Sequence, residues 1–296
     1  MKEKEVNIYK TLNEYKKKLE TLGYTVIYIG LYGSQNYNVD DEISDIDAKA
    51  IVMPTLHDIV FRKPVSRVIE CDNGAIDVKD LITFYDVIRK GNFSYIESIQ
   101  TKYVIGDKYI QELFKPIPVN FKSVVGAMYE KRKALTHEYP SKHEEFNKWG
   151  FDPKQWHHIL RLYDLLHYDI RFVENYAYIT YTDDDPMRTE LIETKRNKKN
   201  TDIKYVENQC DILIDLAKRL IPEDYKYEPL NLENEIFTYI ENKLKVDIRN
   251  AKGYYAREIR TFDNNISKKD IDKFPILKDY QGKDISYIVT EILEIL

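Results

Sequence analysis

Two cysteines in 296 residues, Cys71 and Cys210, are too few and too far apart for a disulfide framework or a cysteine-rich zinc site. Long hydrophobic runs are missing too. Nowhere do 18 apolar residues follow one another, so no helical membrane span is expected. The opening stretch MKEKEVNIYKTLNEYKKKLE scatters its charges and lacks an apolar centre, so no secretion leader is expected and a reducing cytoplasm is the simplest compartment. Positive charge is not in excess either. The 45 Lys and Arg face 50 Asp and Glu, and the net charge of -5 argues against a basic coat for wrapping duplex DNA, leaving only local basic contacts. Internal repeats and low-complexity tracts are absent.

What is present fits a folded chain with a sizeable core: 43% of residues are hydrophobic and 13% aromatic. The length suffices for two domains, since single cores rarely grow past about 250 to 300 residues. Leu12, Tyr15, Leu19 and Leu22 recur at helical spacing over 3–22, and Gly23 stops the pattern. The runs TVIYIGLY (25–32), IDAKAIVM (46–53) and AIDVKDL (75–81) read as strands that neighbour one another in one sheet. Asp80 stands where it would N-cap a helix to about Lys90, and Gly91-Asn92 ends that helix ahead of FSYIESIQT, a second helix.

A short strand is expected at 103–106. Beyond Pro116 and Pro118 the pattern turns helical, at 119–139, 152–174 with Pro153 in the first turn, 186–199, 202–220 and 231–260. The expected fold class is α+β. A small mixed sheet with flanking helices (1–115) would carry catalysis, a mainly helical domain (116–224) would bind nucleotide or substrate, and a helical extension (225–296) has no assigned role.

The chemistry concentrates in GSQNYNVDDEISDID, residues 33–47. Side chains on a strand alternate faces, so Asp45 and Asp47 point the same way, about two strand steps apart. Two such carboxylates can hold a hard divalent cation, and magnesium is commonly bound through one or two carboxylates plus substrate phosphates. A Gly33-Ser34 turn just upstream lets backbone N–H groups approach those phosphates. The bland alternative is a solvated turn, against which stands the apolar run that buries the neighbours of both aspartates. Asp77, bracketed by Ile76 and Val78, is the candidate third carboxylate, while Asp72 and Asp80 read as turn and cap residues.

Lys154, His158 and Arg161 fall at i, i+4 and i+7, opposite an apolar face of Trp156, Ile159, Leu160, Tyr163 and Leu166. They form either the wet side of a helix or the far wall of a cleft. The run KRNKK (195–199) reads as a solvated helix end or as a contact for an acceptor's phosphates, and Lys122, Lys131, Arg132 and Lys133 read as solvated. Glu97 reads as a buried polar anchor. Lys90 and Asn92 stay open between a helix end and a site.

Taken together, GS-x10-DID with a downstream strand aspartate resembles the signature of the DNA polymerase β-like nucleotidyltransferase superfamily. More narrowly, SDIDAKAI, the carboxylate strand, KGNFSYIES and a later K-x3-H-x2-R are similar to the family that includes RNA-repair-associated polymerase β-like enzymes. The resemblance covers roughly 25–220 and nothing after 225. It implies that Gly33 and Ser34 contact the β- and γ-phosphates of an NTP such as ATP, and that Asp45 and Asp47 bridge two Mg2+ ions, which Mn2+ can replace. It also implies that Asp77 binds the ion activating an acceptor hydroxyl, and that Lys154, His158 and Arg161 reach the nucleotide. The implied reaction moves an NMP to a hydroxyl, most simply an RNA or DNA 3′ end. A protein or small-molecule acceptor, or a silent nucleotide- or nucleic-acid-binding module, is the alternative.

Overall fold

The computed structural model describes residues 3–138, 143–169 and 180–244. The chain divides into two compact units, 1–238 and 239–296, and the first holds every labelled element below.

In chain order this unit runs α1 (Glu3–Thr21), β1 (Val26–Tyr32), α2 (Ser34–Tyr37), β2 (Asp47–Val52), α3 (Leu56–Val60), β3 (Ser66–Cys71), β4 (Gly74–Asp80), α4 (Leu81–Ile88), α5 (Phe93–Gln100), β5 (Val104–Gly106) and α6 (Lys108–Phe114). Helices follow: α7 (Phe121–Leu135), α8 (His143–Trp149), α9 (Pro153–Asp169), α10 (Pro186–Lys195) and α11 (Ile203–Leu220). The fold is α+β, a five-stranded mixed sheet in the order β3-β4-β2-β1-β5 with helices flanking it and a helical region after it. Among the described strands only β2 and β4 pair in parallel. Among the described residues no helix is long and apolar enough to cross a membrane.

Strict alternation divides the sheet into two faces with different tasks. One face is apolar. Ile29 and Leu31 of β1, Ala48, Ala50 and Val52 of β2, and Ile76 and Val78 of β4 meet Ile8, Leu12, Tyr15 and Leu19 of α1 in a single cluster. Each large side chain buried there contributes about 1.5–3 kcal/mol. Leu22, expected on the same stripe, is instead 56% exposed, because α1 ends one residue earlier and the chain turns away.

The other face carries Tyr28, Gly30 and Tyr32, then Asp47 and Lys49, then Asp77 and Lys79, and it lies under α4 and α5. Gly30 permits this cover: a Cβ there would sit 2.1 Å from the Ser98 carbonyl oxygen of α5. Register sets Tyr32 beside Asp47 and places Gly30, Lys49 and Asp77 in one row across three strands.

Asp80 caps α4 as its position implied, accepting from the Thr83 N–H at 2.9 Å, and it also accepts from Val65 N–H at 2.7 Å. Asn92 caps α5. In the helical region α9 packs against α7, α10 and α11 and buries Trp156, Ile159, Leu162, Leu165 and Leu166.

The expected breaks near 115 and 225 both lie inside the first unit. Beyond α11, Tyr227 Oη donates to the Arg89 carbonyl at 2.9 Å and Leu232 N–H donates to Tyr85 Oη at 2.9 Å, so this stretch closes over the end of α4. A helix begins at 233, and the later part of the expected 231–260 helix lies outside the described residues, as does 170–174.

Candidate active site

Gly33 leaves β1 with φ +85° and ψ -161°, a conformation essentially confined to glycine. The chain therefore turns out of the sheet level with Asp47, and a Cβ on Gly33 would stand 3.5 Å from Asp47 Oδ2. Ser34 opens the single turn of α2. The return loop reaches β2 through Asp41, Ser44 and Asp45, and it is fastened from the helical region. Arg196 donates to both Asp41 oxygens (2.7 and 3.2 Å), and Lys195 Nζ donates to Ser44 Oγ at 2.7 Å. Against the effect of burial, the Arg196 and Ser44 hydrogen bonds and the Lys195 charge hold the Asp41 carboxyl well below the usual range.

These elements surround one cavity of about 300 Å³. The sheet side supplies Gly33, Ser34, Asp45 and Asp47. The helical side supplies Lys131 of α7, Lys154, His158 and Arg161 of α9, and Lys195 and Arg196 at the end of α10. Tyr32, Tyr37, Phe93 and Leu162 provide aromatic and apolar lining. Seven of the eight residues singled out in the sequence thus meet at one place.

Asp45 is exposed, whereas Asp47 is half-buried and accepts the Ala75 N–H at 3.1 Å. Burial pushes the Asp47 carboxyl up, helped by Asp45 and Glu70 and opposed by the Ala75 N–H and Lys154. Lys131 is pushed down by burial and then by Lys154, and Lys195 by burial and by Arg196 and Lys154 against the pull of Asp41. Partly dehydrated cations that repel one another favour an incoming anion. His158 is held neutral: burial lowers it well below its ordinary value, and His157, Lys131, Lys154 and Arg161 add to the effect.

Arg161 has a second attachment. Its two terminal nitrogens grip Glu97 (2.7 and 3.2 Å), its guanidinium lies 3.8 Å over the Tyr37 ring, and Tyr37 Oη donates to Glu97 at 2.7 Å. Glu97 is fully buried, as an anchor should be, and it ties α5 to α9.

Asp77 lies apart from the other seven. It shares their sheet face, but register sets it beside Lys49, one strand step pair beyond Asp47, whose own neighbour on β4 is Ala75. Its Oδ2 receives Lys49 Nζ at 2.9 Å and Tyr95 Oη at 2.7 Å, and its Oδ1 faces Lys79 Nζ at 3.4 Å. Burial alone would raise the Asp77 carboxyl, yet Lys49, Tyr95 and Lys79 hold it below the ordinary value. Among the described residues the donor set at the cavity itself is therefore two carboxylates. Among the described residues no three His, Cys, Asp or Glu side chains are grouped to hold a metal ion.

Among the cavity's cations outside the expected site, sequence reading assigned Lys131 to solvent and left Lys195 and Arg196 open between a solvated helix end and a contact for an acceptor's phosphates. Lys131 comes from α7 and the adjacent Lys195 and Arg196 from the end of α10, so no local pattern joins the three. Of the other basic residues, Arg132 pairs with Asp211 and Glu207, and Lys133 with Glu130. No protein-family model matches the chain, and no curated protein matches its sequence.

Proposed function

We propose that this chain is a metal-dependent nucleotidyltransferase that moves an NMP from an NTP to a hydroxyl. The observation that carries the reading is the charge arrangement of a single cavity, with a carboxylate pair and a Gly-Ser turn on one side and Lys131, Lys154, Lys195 and Arg196 on the other. That pattern complements a triphosphate presented together with a divalent cation. Asp45 and Asp47 would hold the cation, which when bound supplies charge neutralisation on the phosphates.

Gly33 and Ser34 offer backbone to the phosphates at a point where no Cβ intrudes. Lys154, Lys195 and Arg196 receive the charge of the leaving pyrophosphate, and Tyr32 and Phe93 offer aromatic surface to the base or sugar. In the reaction the acceptor oxygen bonds to the α-phosphorus as the bridge to the β-phosphorus breaks, and the hydroxyl proton passes to solvent. Positioning and electrostatics would account for most of the acceleration. A polynucleotide 3′ end is the proposed acceptor, since the basic residues cluster at the site of a chain that is acidic overall.

The test is incubation with α-labelled NTPs and magnesium in the presence of RNA, DNA, tRNA or whole-cell protein, with Asp45→Asn and Asp47→Asn as controls. Label should enter a nucleic acid and pyrophosphate should appear, both lost in the variants. Turnover retained by both variants would sink the proposal. One observation, the ion pair on Asp77, favours a second reading, a nucleotide-binding module without turnover. It expects nucleotide binding that ignores magnesium, and no labelled acceptor.

A further inference from the structure

We infer that the Asp45–Asp47 site takes a single divalent cation and that the Lys49–Asp77 ion pair closes the position a second ion would need. This rests on the nucleotidyltransferase reading and narrows it.

A second ion bridging the carboxylates needs a free Asp77 oxygen directed at the cavity. Both oxygens are already engaged, Oδ2 by Lys49 and Tyr95 and Oδ1 by Lys79. The Lys49 ammonium is fixed as well as close: it is buried, and it is sandwiched between the rings of Tyr32 at 4.4 Å and Tyr95 at 4.1 Å. Lys79 is braced in turn by Ser66 Oγ at 2.8 Å. Withdrawing Asp77 would leave two buried ammonium groups facing each other without their nearest counter-charge, which the low-dielectric sheet face strongly disfavours.

The register makes this arrangement intrinsic to the strands. Lys49 follows Asp47 by two residues on one face of β2 and stands beside Asp77 in the parallel pair, so a register shift that separated Lys49 from Asp77 would also displace Asp47. Asp47 and Lys49 therefore set a carboxylate and then an internal cation along one face of β2, with Asp45 in the loop just before the strand rather than on it. Lys49 takes over the neutralisation of Asp77 that a metal ion would otherwise supply.

The deciding experiment counts Mn2+ bound to the full chain by electron paramagnetic resonance. It is run with saturating α,β-methylene-ATP, which cannot be cleaved at the reacting bridge, and in magnesium-free buffer. The expected result is one Mn2+ per chain, unchanged in Asp77→Asn and lost in Asp45→Asn combined with Asp47→Asn. Two Mn2+ in the wild type would overturn the inference while leaving the nucleotidyltransferase reading in place. No bound Mn2+, or one that survives loss of both Asp45 and Asp47, would instead overturn that reading. Should Asp77→Asn fail to fold, the wild-type count decides alone. Lys49→Met then provides the converse test, since releasing Asp77 should raise the count from one to two, and an unchanged count would show that Lys49 does not close the position.

Discussion

Burial and the nearby Asp45 and Glu70 set the Asp47 carboxyl above its ordinary value of 3.8. A carboxyl with a raised folded-state value holds its proton more tightly when folded, so its stabilising contribution is complete below the unfolded value and is lost as pH rises through the folded one. At neutral pH the ionised Asp47 is thus a strain that a bound cation relieves. Asp47→Asn keeps the Oδ1 acceptor for Ala75 N–H, so its metal-free Tm at pH 7 should equal or exceed that of the wild type, with the difference vanishing below about pH 4. Magnesium should raise Tm in the wild type only, and scanning calorimetry from pH 4 to 8 would show both effects. Gly33→Ala tests the backbone beside it. It forces a side chain into a glycine-only conformation at a cost of about 1–3 kcal/mol, read by urea unfolding. An undiminished midpoint would mean that the turn is not needed as drawn.

At the scale of elements, α5 and α9 are joined by the buried Arg161–Glu97 pair, and this separates two residues that the K-x3-H-x2-R spacing made look equivalent. Arg161 is 3% exposed and committed to Glu97, whereas Lys154 is exposed at the cavity rim. Arg161→Met should therefore unfold the chain more easily by about 3–5 kcal/mol, with much of the loss recovered when Glu97→Leu removes the stranded carboxylate. Lys154→Ala should leave Tm alone and weaken nucleotide binding. A double-mutant cycle with no coupling between 97 and 161 would refute the first expectation.

Elements were legible where one face alternates or one stripe repeats. The strands β1, β2 and β4 and the helices α1, α4, α5, α7, α9 and α11 announce themselves in this way, with a cap at Asp80. The edge strand β3 did not, because SRVIEC exposes Ser66, Arg67, Val68 and Glu70 and has too little apolar alternation to stand out. Helices α6 and α8 are each 7 residues long, too short for a stripe. The pairing of Lys49 with Asp77 was also hidden, since it depends on a parallel register that neither strand encodes alone.

At the scale of the whole molecule, a chain of net charge -5 gathers Lys131, Lys154, Lys195 and Arg196 around one cavity. Composition pointed away from nucleic acid as a coat but was silent on this convergence, which only the packing of α7, α9 and α10 creates. The shift in composition near residue 115 marks a change from sheet to helices within one compact unit, because the helices supply the far side of a site whose near side is the sheet.

Convergent, partly dehydrated cations should raise affinity for polyanions at some cost to the empty protein. Burial lowers Lys131 and Lys195 from 10.5, so in each the charged form is the destabilised one, and stability is gained as pH rises through the lowered value. Lys131→Met should then raise the metal-free Tm at pH 7, and Lys131→Met or Lys195→Met should weaken ATP binding. A charged hydrogen bond of about 1.5–3 kcal/mol corresponds to roughly 10- to 100-fold in Kd. Titration calorimetry at low and high ionic strength should also show ATP affinity falling with salt, less steeply in either variant. Equal affinity in wild type and variants at both ionic strengths would mean that these lysines do not receive the phosphates, and the triphosphate would have to be placed elsewhere on the chain.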